Sequence, residues 1–206
     1  LDYIKCEKNS KKNIKFYYNL YLTFNGLGEI KEAKRYLEKC YDLNKKNYIV
    51  INNLANIFLK EGKVVKAEEY YLRSFNLKKD YLLVIVNLAV FYQNIGRLNE
   101  SKKFYLKAIE LSPKKISLFF NLSRIDKDFI DDKKIEFLSN LMRNDKISLS
   151  EMSYGYFLLA ENEKKKKNYN LEIDYLKQAN KYSFDSMIKI NLQTLEYWKN
   201  VVAKNY

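Results

Sequence analysis

Four asparagines, Asn19, Asn53, Asn87 and Asn121, stand 34 residues apart, each directly before a leucine (Leu20, Leu54, Leu88, Leu122). A side-chain amide carries both a donor and an acceptor. A row of amides at one rung spacing can therefore pair with an extended polypeptide backbone whatever its sequence. The alternative is that each amide caps or bridges a neighbouring helix, and the two roles can coexist. No comparable spacing points to catalysis. The chain has no His, which removes the commonest ligand of zinc and haem and the commonest acid–base group. Asp and Glu are plentiful, but no pair of them makes a recognisable pocket arrangement. No catalytic, cofactor-binding or metal-binding residue is assigned.

The elements that would hold these amides follow from other positions with the same period. Gly28, Gly62 and Gly96 follow the leucines by eight residues, Ala33, Ala67 and Ser101 by thirteen, Tyr36, Tyr70 and Phe104 by sixteen, and Cys40, Ser74 and Ala108 by twenty. A period of this length marks a stacked repeat rather than a single compact core. With five Gly and one Pro, the composition favours helix over the turn-rich β classes. Each repeat reads as helix, tight turn, helix. In the second, Ile51, Leu54, Ala55 and Phe58 share one face of a helix over 48–60. Gly62 is placed to take a left-handed conformation after it. A second helix over 64–77 turns Ala67, Tyr70, Tyr71 and Ser74 inward, its small residues allowing close approach of two backbones. Pro113 falls after the third repeat's second helix, which it cannot continue.

These residues resemble the tetratricopeptide repeat. The likeness is strong over 50–80 and 86–115, and clear over 18–44, where bulky Tyr21 replaces the small residue usual after the Leu. The resemblance implies an all-α, right-handed superhelix of antiparallel helix pairs, with a concave surface lined by the first helix of each pair. The expected layout is a single repeat domain over 1–206. Its repeats span about 14–47, 48–81 and 82–115, followed by degenerate pairs at 116–147 and 148–182 and a terminal helix over about 185–203. The fourth repeat departs at Asp126, where an aromatic or aliphatic residue is expected, though Ile135, Leu138 and Leu141 still share a helical face. Ser148 and Glu151 read as a capping box opening a helix that carries Tyr156, Leu159 and Ala160. Tyr169, Ile173, Leu176 and Ala179 are expected to pack inward from the next, with Glu172 in place of the family's small Ala. The last helix offers Ile188, Ile190, Leu192, Leu195 and Trp198 to close the stack.

Residues 108–181 also resemble the last part of the repeat regions that precede bacterial sulfotransferase domains, with Tyr169, Ile173, Leu176, Ala179 and Asn180 following that layout. The Gly usual near Lys167 is absent. The resemblance implies a sulfonate-donor site beyond residue 206. The chain begins at Leu1 and is therefore read as a fragment or processed product.

Projecting the first helices inward gives Tyr18, Leu22 and Asn25 from the first repeat and Asn52, Asn56 and Leu59 from the second. The third offers Val86, Val90 and Gln93, and the fourth Phe120, Arg124 and Lys127. The carboxylate clamp known in this family needs Lys or Arg where Tyr18, Asn52, Val86 and Phe120 stand, so an extended, partly apolar peptide fits better than a carboxylate tail. The net charge of +13 would attract nucleic acid or an anionic membrane. It also matches a Lys-rich composition in which Arg, the usual reader of bases and phosphate, is scarce. Lys164 to Lys167 read as a solvated helix end. Cys40 reads as a buried reduced thiol and Cys6 as exposed. No apolar run is long enough to span a membrane. The expected role is binding of a protein or peptide, without a cofactor and without specific nucleic-acid binding, in the cytoplasm. The alternative is the substrate-recruiting region of a sulfotransferase.

Overall fold

The computed structural model describes residues 13–144 and 146–202, with the side chains of 144, 189–191 and 193–202 left out of account. Ten α-helices make up the described residues: α1 (Ile14–Gly26), α2 (Ile30–Leu43), α3 (Tyr48–Lys60), α4 (Val64–Leu77), α5 (Leu82–Asn94), α6 (Leu98–Leu111), α7 (Ile116–Ser123), α8 (Asp132–Asn144), α9 (Leu149–Lys165) and α10 (Tyr169–Val202). They form two compact units, Leu1–Phe104 and Tyr105–Tyr206.

In the first unit, α1 packs on α2 and α3 on α4, while α2 meets α3 and α4 meets α5. Side-chain caps open two of these helices. The carboxamide of Asn13 accepts from the Lys15 N–H, and that of Asn47 from the N–H groups of Ile49 and Val50. Each pair turns on one device. Gly28, Gly62 and Gly96 have φ of +78°, +73° and +79°. The next N–H reaches back to the helix, from Glu29 to Phe24 O (2.9 Å), from Lys63 to Phe58 O (2.9 Å) and from Arg97 to Tyr92 O (2.8 Å). This is the Schellman closure, which satisfies carbonyls that the helix end leaves open. The periodic small residues Ala33, Ala67, Ser101, Cys40 and Ser74 are fully buried. Two of them also tie helix to helix: Ser74 Oγ donates to Tyr48 O (2.8 Å) and Ser101 Oγ to Ala89 O (2.7 Å). Leu37 and Tyr71, seventeen residues after their leucines, are buried more deeply than Tyr70.

The second unit is less regular. Its core gathers Ile116, Phe119, Leu138, Leu141 and Leu158. The helix α7 stops after eight residues, at the point where the sequence departs from the repeat, and a turn-rich stretch leads to α8. Ser148 caps α9 as expected, its Oγ accepting from the Glu151 N–H at 3.2 Å. Glu151 does not complete the box on its own helix. Its carboxylate instead accepts from the N–H (2.7 Å) and Oγ (2.8 Å) of Ser117 in the first turn of α7, where the exposed N–H groups and helix dipole favour an anion. The buried face of α9 is Ser153, Gly155, Leu158, Ala160 and Asn162. Of the residues expected there, Ala160 is buried, while Tyr156 and Leu159 are half-buried.

The terminal capping helix differs most from expectation. Instead of one helix to 182 and another from 185, α10 runs unbroken for 34 residues, because no Gly or Pro lies between Asn180 and Asp185 to end it. Ala179 is buried and its carbonyl accepts from Ser153 Oγ at 2.9 Å. Leu176 is half-buried, but Tyr169 and Ile173 are exposed: the face that packs on α9 follows 172, 176 and 179, so Ile173 falls one residue off it and Tyr169 lies at the open helix end. Ile188 and Leu192 are exposed as well. The side chains of Ile190, Leu195 and Trp198, and Cys6, lie outside the described residues.

Candidate functional site

In the first unit, α1, α3 and α5 lie side by side, joined by hydrogen bonds between residues one repeat plus one position apart. Asn53 Nδ2 donates to Tyr18 Oη at 3.0 Å, Asn87 Nδ2 to Asn52 Oδ1 at 2.9 Å, and Lys60 Nζ to Asn25 Oδ1 at 3.1 Å. Asn52 Nδ2 closes a longer 3.4 Å contact to Asn53 Oδ1. The result is a continuous chain from Tyr18 through Asn53 and Asn52 to Asn87, running across three first helices.

This chain sorts the expected row of amides. Asn52 is 0 % exposed and Asn53 8 %. Both are held within the stack and bridge neighbouring helices. Asn56 Oδ1 accepts from the Tyr71 hydroxyl, which engages one side of that half-buried amide. Asn87 is half-buried and Asn19 exposed. Asn121 is half-buried on α7, in the second unit. The sequence shows the 34-residue recurrence but not the burial, which depends on whether the next helix covers a given rung.

Apolar side chains stand beside these amides on the first helices. Leu22 is 49 % exposed, Leu83 48 % and Val90 38 %, with Tyr18 and Val86 half-buried. Leu22, Asn56 and Val90 occupy one repeat position, 34 residues apart. Ion pairs sit at the turns. Glu61 accepts from Lys34 at 2.8 Å and Lys63 at 2.7 Å, and hydrogen bonds from these two ammonium groups hold its carboxyl below the ordinary range. Glu68 accepts from Arg97 (2.7 Å) and from the Tyr92 hydroxyl (2.9 Å). Burial, together with the Glu68 hydrogen bond, pushes Tyr92 up to about 12.

The second unit has a groove of about 770 Å³ between the end of α7, α9 and the start of α10. It brings together the expected Phe120, Arg124 and Lys127 with Phe157, Ala160, Glu161, Lys164, Lys165, Glu172 and Leu176. The α9 members were missed in the sequence, since α9 lies outside the regular repeats. The available signal was the i, i+4 spacing of Phe157, Glu161 and Lys165. Among the described residues no group of three His, Cys, Asp or Glu could hold a metal ion, and no helix is long and apolar enough to cross a membrane.

The tetratricopeptide repeat model matches residues 14–47 and 84–115. The pair between them has the same Gly turn and the same buried small residues. A sequence search of curated proteins finds no match. Among solved structures, the chain is similar to PilF of Pseudomonas aeruginosa (TM-score 0.64, 19 % identity, 91 % of this chain and 91 % of that one). It is also similar to a chain of the APC/C hetero-tetramer Cut9–Hcn1 (0.63, 18 %, covering 84 % of this chain and 34 % of that one). A third is YrrB, described as a tetratricopeptide protein with an unusual peptide-binding site (0.56, 12 %, 93 % and 97 %). At these identities the likeness concerns the fold. Taken with the 34-residue period and the Schellman turns, it gives the chain an all-α fold of stacked helix pairs like that of the tetratricopeptide repeat.

Proposed function

We infer that the chain is a protein-interaction module that binds an extended polypeptide on the first-helix face of α1, α3 and α5. The supporting observation is the exposed apolar row Leu22, Leu83 and Val90, set beside the exposed amide of Asn19 and the half-buried one of Asn87, whose Nδ2 is engaged by Asn52. Alternating apolar contacts and backbone-pairing amides suit a strand-like ligand, whose side chains alternate while its N–H and C=O groups repeat. Asn53 and Asn52 act indirectly, by fixing the spacing of the three helices. The fold is shared with YrrB, which is described as having an unusual peptide-binding site, and with a chain of the Cut9–Hcn1 hetero-tetramer. Asn121, Phe120 and Arg124 belong to the second unit and are proposed as contacts there. The finer possibility, that the repeats recruit substrate for a sulfotransferase domain, rests on the likeness of residues 108–181 alone.

The test is selection of phage-displayed random dodecapeptides on the chain, followed by fluorescence anisotropy with the selected peptides. Val90→Asp and Leu22→Asp should each weaken binding at least tenfold, and Val65→Asp, at a site 83 % exposed on α4, should leave it unchanged. Equal losses at Val65 and Val90 would rule out the first-helix face.

A further inference from the structure

The groove of the second unit differs in chemistry from the amide face. Its floor is aromatic: the Phe120 ring lies 5.1 Å from that of Tyr154 and 5.9 Å from that of Phe157. Its rim is cationic. Arg124 sits over the Phe120 ring at 5.8 Å, and its guanidinium edge remains open to a further partner. Lys127 and Lys164 flank it, both exposed, and neither has a carboxylate partner among the described residues. Lys165 is already used, since its ammonium donates to the Lys127 carbonyl and ties the α7–α8 turn to the end of α9. That tie holds Lys127 at the groove. Four basic residues line the site against two acidic ones, Glu161 and Glu172.

We propose that this groove captures an acidic polypeptide segment, with an aromatic or large aliphatic side chain seated on Phe120 and Phe157 and flanking carboxylates on Arg124, Lys127 and Lys164. Charge complementarity selects the occupant. An uncharged apolar ligand would leave three cations unused, and a polyanion without an apolar group would leave the aromatic floor wet. The groove lies wholly within the second unit, and its chemistry differs from that of the first-helix face of the other unit.

The probe is a fluorescein-labelled hexapeptide, Asp-Glu-Phe-Glu-Asp-Glu, titrated by anisotropy at about 50 and 150 mM salt, where rim charges on both partners are progressively screened. Replacing its Phe by Ala should weaken binding about tenfold, the scale of one large side chain leaving water for a partly open apolar site. Arg124→Glu with Lys127→Glu should abolish binding, whereas Lys31→Glu with Lys79→Glu should change it less than about twofold. Each pair lowers the net charge of +13 by four, so the comparison separates the groove from the overall field. If the reversal pair loses helicity by circular dichroism, Arg124→Gln with Lys127→Gln should still give at least a tenfold loss. Equal effects of the two reversal pairs, indifference to the Phe, or displacement of the peptide by an equimolar thymidine dodecamer would overturn the proposal.

Discussion

Replacing Asn52 by Ala tests whether the amide chain holds the first helices in register. Asn52 is 0 % exposed and accepts from Asn87 Nδ2 at 2.9 Å, while its own Nδ2 reaches Asn53 Oδ1 at 3.4 Å. The first contact has ordinary N–H···O length and the second is at the weak end. A typical intramolecular hydrogen bond contributes about 0.5–1.5 kcal/mol net, so the pair contributes about 1–2 kcal/mol, most of it through Asn87. Removing the amide also leaves Asn53 Oδ1 without its donor in a site only 8 % exposed, where water has little access and the unsatisfied acceptor costs about 1 kcal/mol more. The expected loss is about 2–3 kcal/mol. Guanidinium denaturation followed by circular dichroism measures it, with Asn87→Ala and the double variant completing a cycle. The coupling between Asn52 and Asn87 should be about 0.5–1.5 kcal/mol and should exceed that between Asn52 and Asn53. A loss under about 0.5 kcal/mol, or no coupling to Asn87, would show that packing alone sets the helix spacing.

Three further outcomes follow from the same geometry. Lys167 has φ of +60° and completes the same Schellman closure as Gly28, Gly62 and Gly96, with Asn168 N–H donating to Glu163 O at 2.9 Å. Lys167→Gly should therefore stabilise the second unit by about 0.5–1 kcal/mol, the left-handed strain relieved less the added freedom of the unfolded chain, and a lower denaturation midpoint would refute this. Ala67→Leu should cost about 1–3 kcal/mol by overpacking a site that is 0 % exposed, whereas Lys63→Leu, at the exposed turn, should cost far less; equal midpoints would disprove the close contact. Burial pushes the Cys40 thiol up to about 11, so in a Cys6→Ser background it should react with a disulfide reagent at pH 8 only after unfolding. Because the folded value lies above the unfolded one, its contribution to stability is complete below the unfolded value and is lost as the pH rises toward 11. Rapid native labelling at pH 8 would contradict the burial.

The regular half of the fold was legible because one set of residues does one job in each pair. The Leu, Ala and Gly positions specify core, close contact and left-handed turn, and their period is independent of what the surface carries. The helix bounds at Tyr48–Lys60 and Val64–Leu77 follow from it directly. The second half lacks those signals. Lys167 performs the turn that Gly performs elsewhere, close to where the second resemblance expects a Gly, and carries the left-handed backbone itself. The unbroken α10 and the carboxylate of Glu151 on α7 depend on long-range packing. The burial of the amides does too. All four were visible as a row, but which of them are covered depends on neighbouring rungs, and Asn52, expected on the inner face, is 0 % exposed and accepts from Asn87.

The central claim concerns which helices meet the ligand, and site-specific photocrosslinking tests it most directly. A benzophenone side chain is placed singly at Leu22, Val90 or Val65, and the chain is irradiated with a selected dodecapeptide. Crosslinks should form at Leu22 and Val90 on α1 and α5, and none at Val65 on α4, although Val65 is the most exposed of the three. Efficient crosslinking at Val65 with none at Leu22 or Val90 would contradict binding on the first-helix face.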